Sequence, residues 1–211
     1  MRHFPKSTSP TAFEDWKVKR GRRARYNNIP QALKQELRNS LSKEQSGLCC
    51  YCGISLKNDN VHIEHFKPQN DFPGQALNYK NLHASCMGKE YIPSEVYELD
   101  FCGHAKKNWY NPNLLVSPLD PNCESYFLYN FNGSVENNNN LAAKETIEKL
   151  NLDSYLLRSQ RESAIEGIMS TIDIGESNDI KECIDFLETP DQDGNLNSFS
   201  FIIAGLLKTL I

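Results

Sequence analysis

The chain has 211 residues, 39% hydrophobic and 10% aromatic, enough for a core of ordinary domain size. No run approaches the roughly 18 apolar residues of a membrane span, and the N-terminus lacks a signal-like apolar core, so a cytoplasmic protein without membrane attachment is expected. The net charge of −4 hides an asymmetry: residues 1–43 hold eleven Lys/Arg against three Asp/Glu, residues 44–140 six against eleven, and residues 141–211 six against thirteen. A basic head on an acidic body suits a phosphate backbone or an acidic protein face. Seven cysteines with no secretory signal point to free thiols and metal ligands rather than disulfides.

Residues 1–12, with Pro5 and Pro10, read as an extended arm. Residues 13–26 place Lys19, Arg20, Arg22, Arg23 and Arg25 within seven positions, close to Lys17 and between Trp16 and Tyr26. Pro30 suits the first position of a helix that carries Leu33, Leu37 and Leu41 one turn apart and ends near Gly47. Residues 48–56 and 60–66 read as a cysteine-bearing turn followed by a strand pair. Residues 67–80 and 111–121 are loops, and Tyr126–Phe131 with Asn132-Gly133 signals a hairpin. Beyond a polar linker at Asn137–Asn140 the period turns helical over Ala142–Leu152, Ser154–Ile172, Asn178–Leu187 and Ser198–Ile211. This divides the chain into residues 1–44, a basic arm and helix; 45–136, a metal-stapled module; and 137–211, a helical region. No internal repeat is present.

The polar constellation lies between positions 49 and 104. Cys49 and Cys52 have the two-residue gap that lets one turn present two thiolates to a tetrahedral ion. Cys86 and Cys102 are separated by fifteen residues and can complete the set only if residues 87–101 form an excursion. Four thiolates would make a closed structural zinc site and leave zinc no open position for hydrolysis. Cys50, Cys123 and Cys183 read as ordinary buried thiols. Between the cysteine pairs stand Glu64 and His65. A neutral imidazole can take a proton from water, and a carboxylate can hold a divalent cation on a scissile phosphate. Adjacent strand residues point to opposite faces, so this pair can share a site only at a twisted strand end.

With Cys49-Cys50-Tyr51-Cys52, Ile63-Glu64-His65-Phe66-Lys67-Pro68, Asn78-Tyr79-Lys80-Asn81-Leu82 with Cys86, and Cys102-Gly103-His104-Ala105-Lys106, the region resembles the HNH (ββα-metal) nucleases. More narrowly, it is similar to the HNH proteins encoded with retrons and with the Septu antiphage system, often called PtuB. Ser117-Pro118-Leu119-Asp120-Pro121, the Asn132-Gly133 turn and Thr146–Arg161 also look like that narrower group. The resemblance covers about residues 45–165.

The resemblance implies an α+β, mostly helical fold: a ββα-metal HNH module with structural zinc, flanked by N-terminal and C-terminal helices. It implies His65 as the general base, Glu64 and His104 as ligands of a catalytic Mg²⁺ or Mn²⁺, and Asn81 as the asparagine that hydrogen-bonds across the loop and orients the His65 strand. Cys49, Cys52, Cys86 and Cys102 would hold Zn²⁺. Two positions depart from the usual pattern: the second cysteine pair is widely split, and Gly103 stands where the last catalytic ligand normally follows the final cysteine. His62 and His83 are the reserve candidates for that ligand. Implied partners are a nucleic acid (DNA favoured, tRNA or other RNA next), a PtuA-like ATPase, and a retron reverse transcriptase with its msDNA. Lys17, Lys19, Arg20, Arg22, Arg23 and Arg25 would either grip phosphates, with Trp16 and Tyr26 stacking on bases, or dock on a partner protein. The competing function is a zinc-stabilised binding module for nucleic acid or protein that has no catalysis.

Overall fold

The computed structural model describes residues 1–56, 61–88 and 100–211. Its first ten residues have no regular secondary structure but are packed down: Met1 and Phe4 are buried, and the Met1 amine bonds the Tyr129 hydroxyl. Helix α1 (Thr11–Arg20) buries Phe13 and Trp16, which stack in parallel with ring centres 6.2 Å apart. Their three-residue spacing puts them on one helix face, so Trp16 is a core residue and offers no platform to a base. Helix α2 (Gln31–Glu44) begins one residue after Pro30 and buries Leu33, Leu37 and Leu41, each contributing roughly 1.5–3 kcal/mol. Ser46 and Gly47 end it in left-handed backbone, φ 51° and 71°.

The next segment doubles back on itself, with Cys49 N–H donating to the Ile54 carbonyl at 2.8 Å and Gly53 N–H to that of Cys49 at 3.1 Å. Strand β1 (His62–His65) pairs antiparallel with β2 (Leu82–Ser85), from His62 opposite Ser85 to His65 opposite Leu82. The partner strand is therefore residues 82–85, not a stretch within 48–66 as the sequence suggested. All four β2 residues are buried, so no apolar–polar alternation marks it. A short helix, α3 (Cys102–Lys106), follows. The excursion between Cys86 and Cys102 falls largely on residues 89–99, outside the described ones. Its ends meet, because Phe101 N–H donates to the Gly88 carbonyl at 3.1 Å.

The expected hairpin is present as β3 (Phe127–Tyr129) and β4 (Val135–Asn137). Helices α4 (Leu141–Lys149), α5 (Tyr155–Met169), α6 (Ser177–Glu188) and α7 (Ser200–Leu207) complete the chain. Asn140 caps α4 by accepting from Ala143 N–H, and Ser154 caps α5 by accepting from Leu157 N–H. One core runs from Met1 and the α2 leucines through β1 and β2 to Leu157, and a second joins Ile165 to α6 and α7. They touch where Tyr129 meets Phe201 edge-on, 6.2 Å between ring centres. Mixed helix with two small sheets agrees with the α+β expectation.

Candidate active site and metal centre

Four sulfurs converge behind β1. Cys49, Cys52, Cys86 and Cys102 are all buried, and their Sγ atoms lie within 4.8 Å of one another. The Cys49–Cys102 and Cys52–Cys86 separations are both 3.9 Å. Four thiolates at about 2.3 Å from a tetrahedral ion stand about 3.8 Å apart, so the cluster has the dimensions of a metal site. Its electrostatics point the same way. Burial pushes the Cys102 thiol up, whereas Cys49 is held well below the usual thiol range against burial by the surrounding sulfurs, first Cys102. One thiolate can be stabilised by three thiols, but four thiolates in one buried place need a cation. Among the described residues this is the one group of His, Cys, Asp and Glu so gathered. Cys50 and Cys123 are buried outside it, and Cys183 is half-exposed.

The chain leaves the cluster at Cys102 and enters an open cleft of about 450 Å³, lined by Tyr26, His62, Glu64, His65, Gln69, Asp100, Gly103, His104 and Lys107, among others. β1 ends at His65, so the cleft can wrap the strand end and reach both of its last side chains. Glu64 points toward α3. Its Oε1 takes a 2.9 Å ion pair from the Lys106 ammonium and a 3.2 Å hydrogen bond from the Tyr51 hydroxyl. Among the described residues Oε2 has no such bond, and it lies 3.9 Å from His62 Nε2. A Cβ added at Gly103 would stand 2.5 Å from Oε2, so glycine is what lets the helix start pass the carboxylate. Burial raises the Glu64 pKa and Lys106 opposes it.

His65 lies on the other face, its ring edge-on to Tyr26 with centres 4.5 Å apart. Its Nε2 is 3.1 Å from the Ala76 carbonyl, which can only accept, so Nε2 carries the proton and Nδ1 holds the lone pair. The Gln69 amide nitrogen is 3.3 Å from Nδ1. Burial pulls the His65 pKa down to about 4, so the imidazole is neutral at physiological pH.

Asn81 is buried beside this strand end. Its Oδ1 accepts from Lys67 N–H at 2.7 Å, and its amide donates to the carbonyls of Lys67 (3.0 Å) and Gln75 (3.2 Å). The Asn81 carbonyl accepts from Phe66 N–H at 2.9 Å. These bonds close the loop between β1 and β2 directly after His65.

The histidines separate clearly. His104 and His62 are neighbours with ring centres 5.3 Å apart, and His104 Nδ1 is buried with no hydrogen-bond partner. Burial, then the neighbouring His104, pulls the His62 pKa to about 4. His83 lies instead in aromatic packing, 5.6 Å from Phe4 and 6.0 Å from Phe66 between ring centres, fully buried and held neutral by that burial. Although it faces Glu64 in the strand register, it is not among the cleft-lining residues.

Of the basic segment, Lys17 is engaged by Glu14 at 2.6 Å and by the Leu77 carbonyl at 3.3 Å. Lys19, Arg20, Arg22, Arg23 and Arg25 are exposed. Arg25 is folded onto the Arg22 and Ala24 carbonyls, both at 2.8 Å.

Three residues central to the site were not singled out from sequence. Lys106 sits one helical turn after Cys102, a spacing that places it on the same inward face. Tyr51 lies between two cysteines and reads as part of the turn. Gln45 stitches the metal loop to β2, donating to the Leu48 and Ala84 carbonyls at 2.7 and 2.8 Å and accepting from Ala84 N–H at 2.8 Å. Nothing in sequence distinguishes it from a surface glutamine.

No protein-family model matches the chain. Comparison with curated proteins finds similarity to the "Retron Vc95 putative HNH endonuclease" of Vibrio cholerae serotype O1 biovar El Tor. It is 29% identical over 149 residues, 66% of this chain and 68% of that protein. The four-cysteine centre and the strand–strand–helix cleft thus belong to a chain whose relative carries the name of a retron nuclease.

Proposed function

We propose that this protein is a metal-dependent HNH endonuclease that hydrolyses nucleic-acid phosphodiester bonds, the toxic effector of an antiphage defence system of retron or Septu type working with an ATPase. One observation carries the reading: a neutral imidazole with its lone pair on Nδ1 and a carboxylate with one oxygen unbonded among the described residues share a cleft at the end of one strand. The similarity to a retron-associated relative supports the biological setting. DNA is the favoured substrate, with tRNA or other RNA next.

The residues present fit a divalent ion. Among the described residues Glu64 Oε2 and His104 Nδ1 have no hydrogen bond, and His62 stands 3.9 Å from the first and ring to ring with His104 at 5.3 Å, so these three would hold the ion. When bound, Mg²⁺ or Mn²⁺ would polarise the scissile phosphate and stabilise the leaving 3′ oxygen. His65 Nδ1 takes a proton from a water molecule as the water oxygen attacks phosphorus. The P–O3′ bond breaks and the 3′ oxygen takes a proton from solvent, leaving a 5′ phosphate and a 3′ hydroxyl, while His65 returns its proton to solvent. The Ala76 carbonyl keeps the imidazole in the tautomer this needs, the Gln69 amide gives up Nδ1 to the attacking water, and Asn81 fixes the turn that carries the histidine. In this reading the four cysteines hold Zn²⁺, which cements the back wall and takes no part in the chemistry.

The second reading, a zinc-stabilised module without catalysis, draws on the bonding of Glu64 to Lys106 and Tyr51. Incubating plasmid, single-stranded DNA and total tRNA with Mg²⁺ or Mn²⁺, with and without the ATPase, decides between them. The nuclease reading expects metal-dependent cuts with 5′-phosphate ends that vanish in His65→Ala. Cuts that persist in His65→Ala, or no cuts in any condition, would overturn it in favour of the binding module.

A further inference from the structure

The exposed arginines past α1 are the obvious basic feature, but a different set of cations borders the cleft itself. Lys34 and Arg38 are one turn apart on α2 and so share a face. The Lys34 ammonium stands 5.0 Å from the centre of the Tyr26 ring, and that ring meets the His65 imidazole at 4.5 Å. This chain of contacts places the α2 face at the lip of the cleft, next to the base. Arg38 is close enough to act electrostatically on both Tyr26 and His62. From a second element, Lys107, exposed at the end of α3, lines the same cleft.

These three cations differ from the molecule's other basic groups near the site. Lys106 is spent on Glu64, Lys17 on Glu14 and Lys6 on Glu44. Among the described residues, no carboxylate lies within ion-pair distance of Lys34, Arg38 or Lys107. The acidic groups lining the cleft are Glu64 and Asp100, and one Asp100 oxygen has no partner. Two half-buried cations on a rigid helix, Lys34 over a tyrosine and Arg38 bonded at 3.3 Å to the neutral Gln35 amide oxygen, and neither with a counter-ion among the described residues, form a poor stability device. They form a good receptor for an anion that arrives from outside.

We infer that Lys34 and Arg38 of α2, with Lys107 across the cleft residues, form a phosphate-binding track that holds the nucleic-acid backbone on either side of the bond presented to His65. The inference rests on the nuclease reading and adds the subsite. The track contacts backbone phosphates rather than base edges, so it positions the strand without selecting sequence. Tyr26 then serves as the platform under Lys34 and against His65.

The test uses the full-length His65→Ala protein, so that binding is read without cleavage. Fluorescence anisotropy with labelled duplex DNA, single-stranded DNA and tRNA is followed across a sodium chloride series, before and after Lys34→Gln/Arg38→Gln. Losing two phosphate contacts should lower the slope of log K against log salt by about 1.8 on duplex and about 1.4 on a single strand. An Arg38→Lys variant that keeps its charge should retain most of its share. Melting temperature and bound zinc should not move. An unchanged slope in the double variant, with the fold intact, would overturn the track. So would failure of the parent to bind any of the three nucleic acids. Because the readout is binding, a wild type that cuts nothing would sink the nuclease reading alone.

Discussion

The Lys106 ammonium stands 2.9 Å from Glu64 Oε1, and both side chains are almost wholly buried. The same ammonium donates to the His65 carbonyl at 3.1 Å, so one cation fixes the carboxylate and the backbone of the adjacent histidine together. Breaking a buried pair from one side leaves the other charge uncompensated, at a cost of about 3–5 kcal/mol. Lys106→Ala is expected to lose that much in denaturant unfolding. Glu64→Gln/Lys106→Met should regain most of the stability and remain inactive. A Lys106→Ala protein as stable as wild type would show that Glu64 is held by something else.

Gly103→Ala brings a methyl group within 2.5 Å of Glu64 Oε2, the oxygen we propose as a cation ligand. Neither side can retreat, since Oε1 is pinned by Lys106 and Tyr51. The expected outcome is a stability loss of about 1–3 kcal/mol and at least a tenfold fall in cleavage, with the cysteine-bound metal retained. Full activity would place the working oxygen elsewhere.

Much of the helical framework was legible because it carries periodic signals, such as Leu33, Leu37 and Leu41 on α2; the caps at Asn140 and Ser154 emerged only with the structure. The cysteine set was legible from its spacing, although the split between Cys86 and Cys102 made closure depend on an excursion that sequence cannot trace. β2 was not legible, since a strand buried on both faces alternates nothing. The two reserve histidines could not be ranked against each other from sequence either. His62 and His83 sit on paired strands, yet one borders the cleft and the other lies between Phe4 and Phe66. Only the pairing register and the packing of the N-terminal arm decide that. Trp16 misled for a related reason: its basic neighbours are exposed, while its own helix face is turned inward by Phe13.

Cys52→Ser removes one of four sulfurs from a centre whose metal affinity is worth about 10–16 kcal/mol in small modules, as much as a typical domain's whole stability. The variant is expected to purify without stoichiometric zinc and to lose its cooperative melt by circular dichroism. Cys123→Ser, outside the cluster, should keep both. A Cys52→Ser protein with its zinc and melting temperature intact would remove the metal assignment.

His83 gives a pH prediction. Burial holds its folded pKa well below the unfolded value of about 6.5, so the unfolded chain takes up a proton first on acidification. Its contribution to stability is therefore complete above about pH 6.5 and is lost as pH falls below it. His65 and His62, both held at about 4, add to the loss down to that pH. His83→Leu should leave cleavage at pH 7 within a few-fold of wild type and flatten the decline in stability below pH 6.5. A large loss of activity at pH 7 would return His83 to the list of ligands.

The loop that carries Cys49 and Cys52 is backed by the far end of the chain. Leu196 N–H donates to the Ser46 carbonyl and Phe199 N–H to that of Gly53, both at 2.8 Å, while Ser198 Oγ accepts from Ser55 N–H at 2.8 Å. Phe201 lies so close over Gly53, in left-handed backbone at φ 81°, that a Cβ there would meet its ring at 2.5 Å. The cysteine turn is latched from behind, and an ion held by the four sulfurs is expected to be released when residues 196–201 lift away and free Cys49 and Cys52. Its residence time is then governed by a local opening rate rather than by affinity, and competition with a chelator should proceed at a speed independent of chelator concentration.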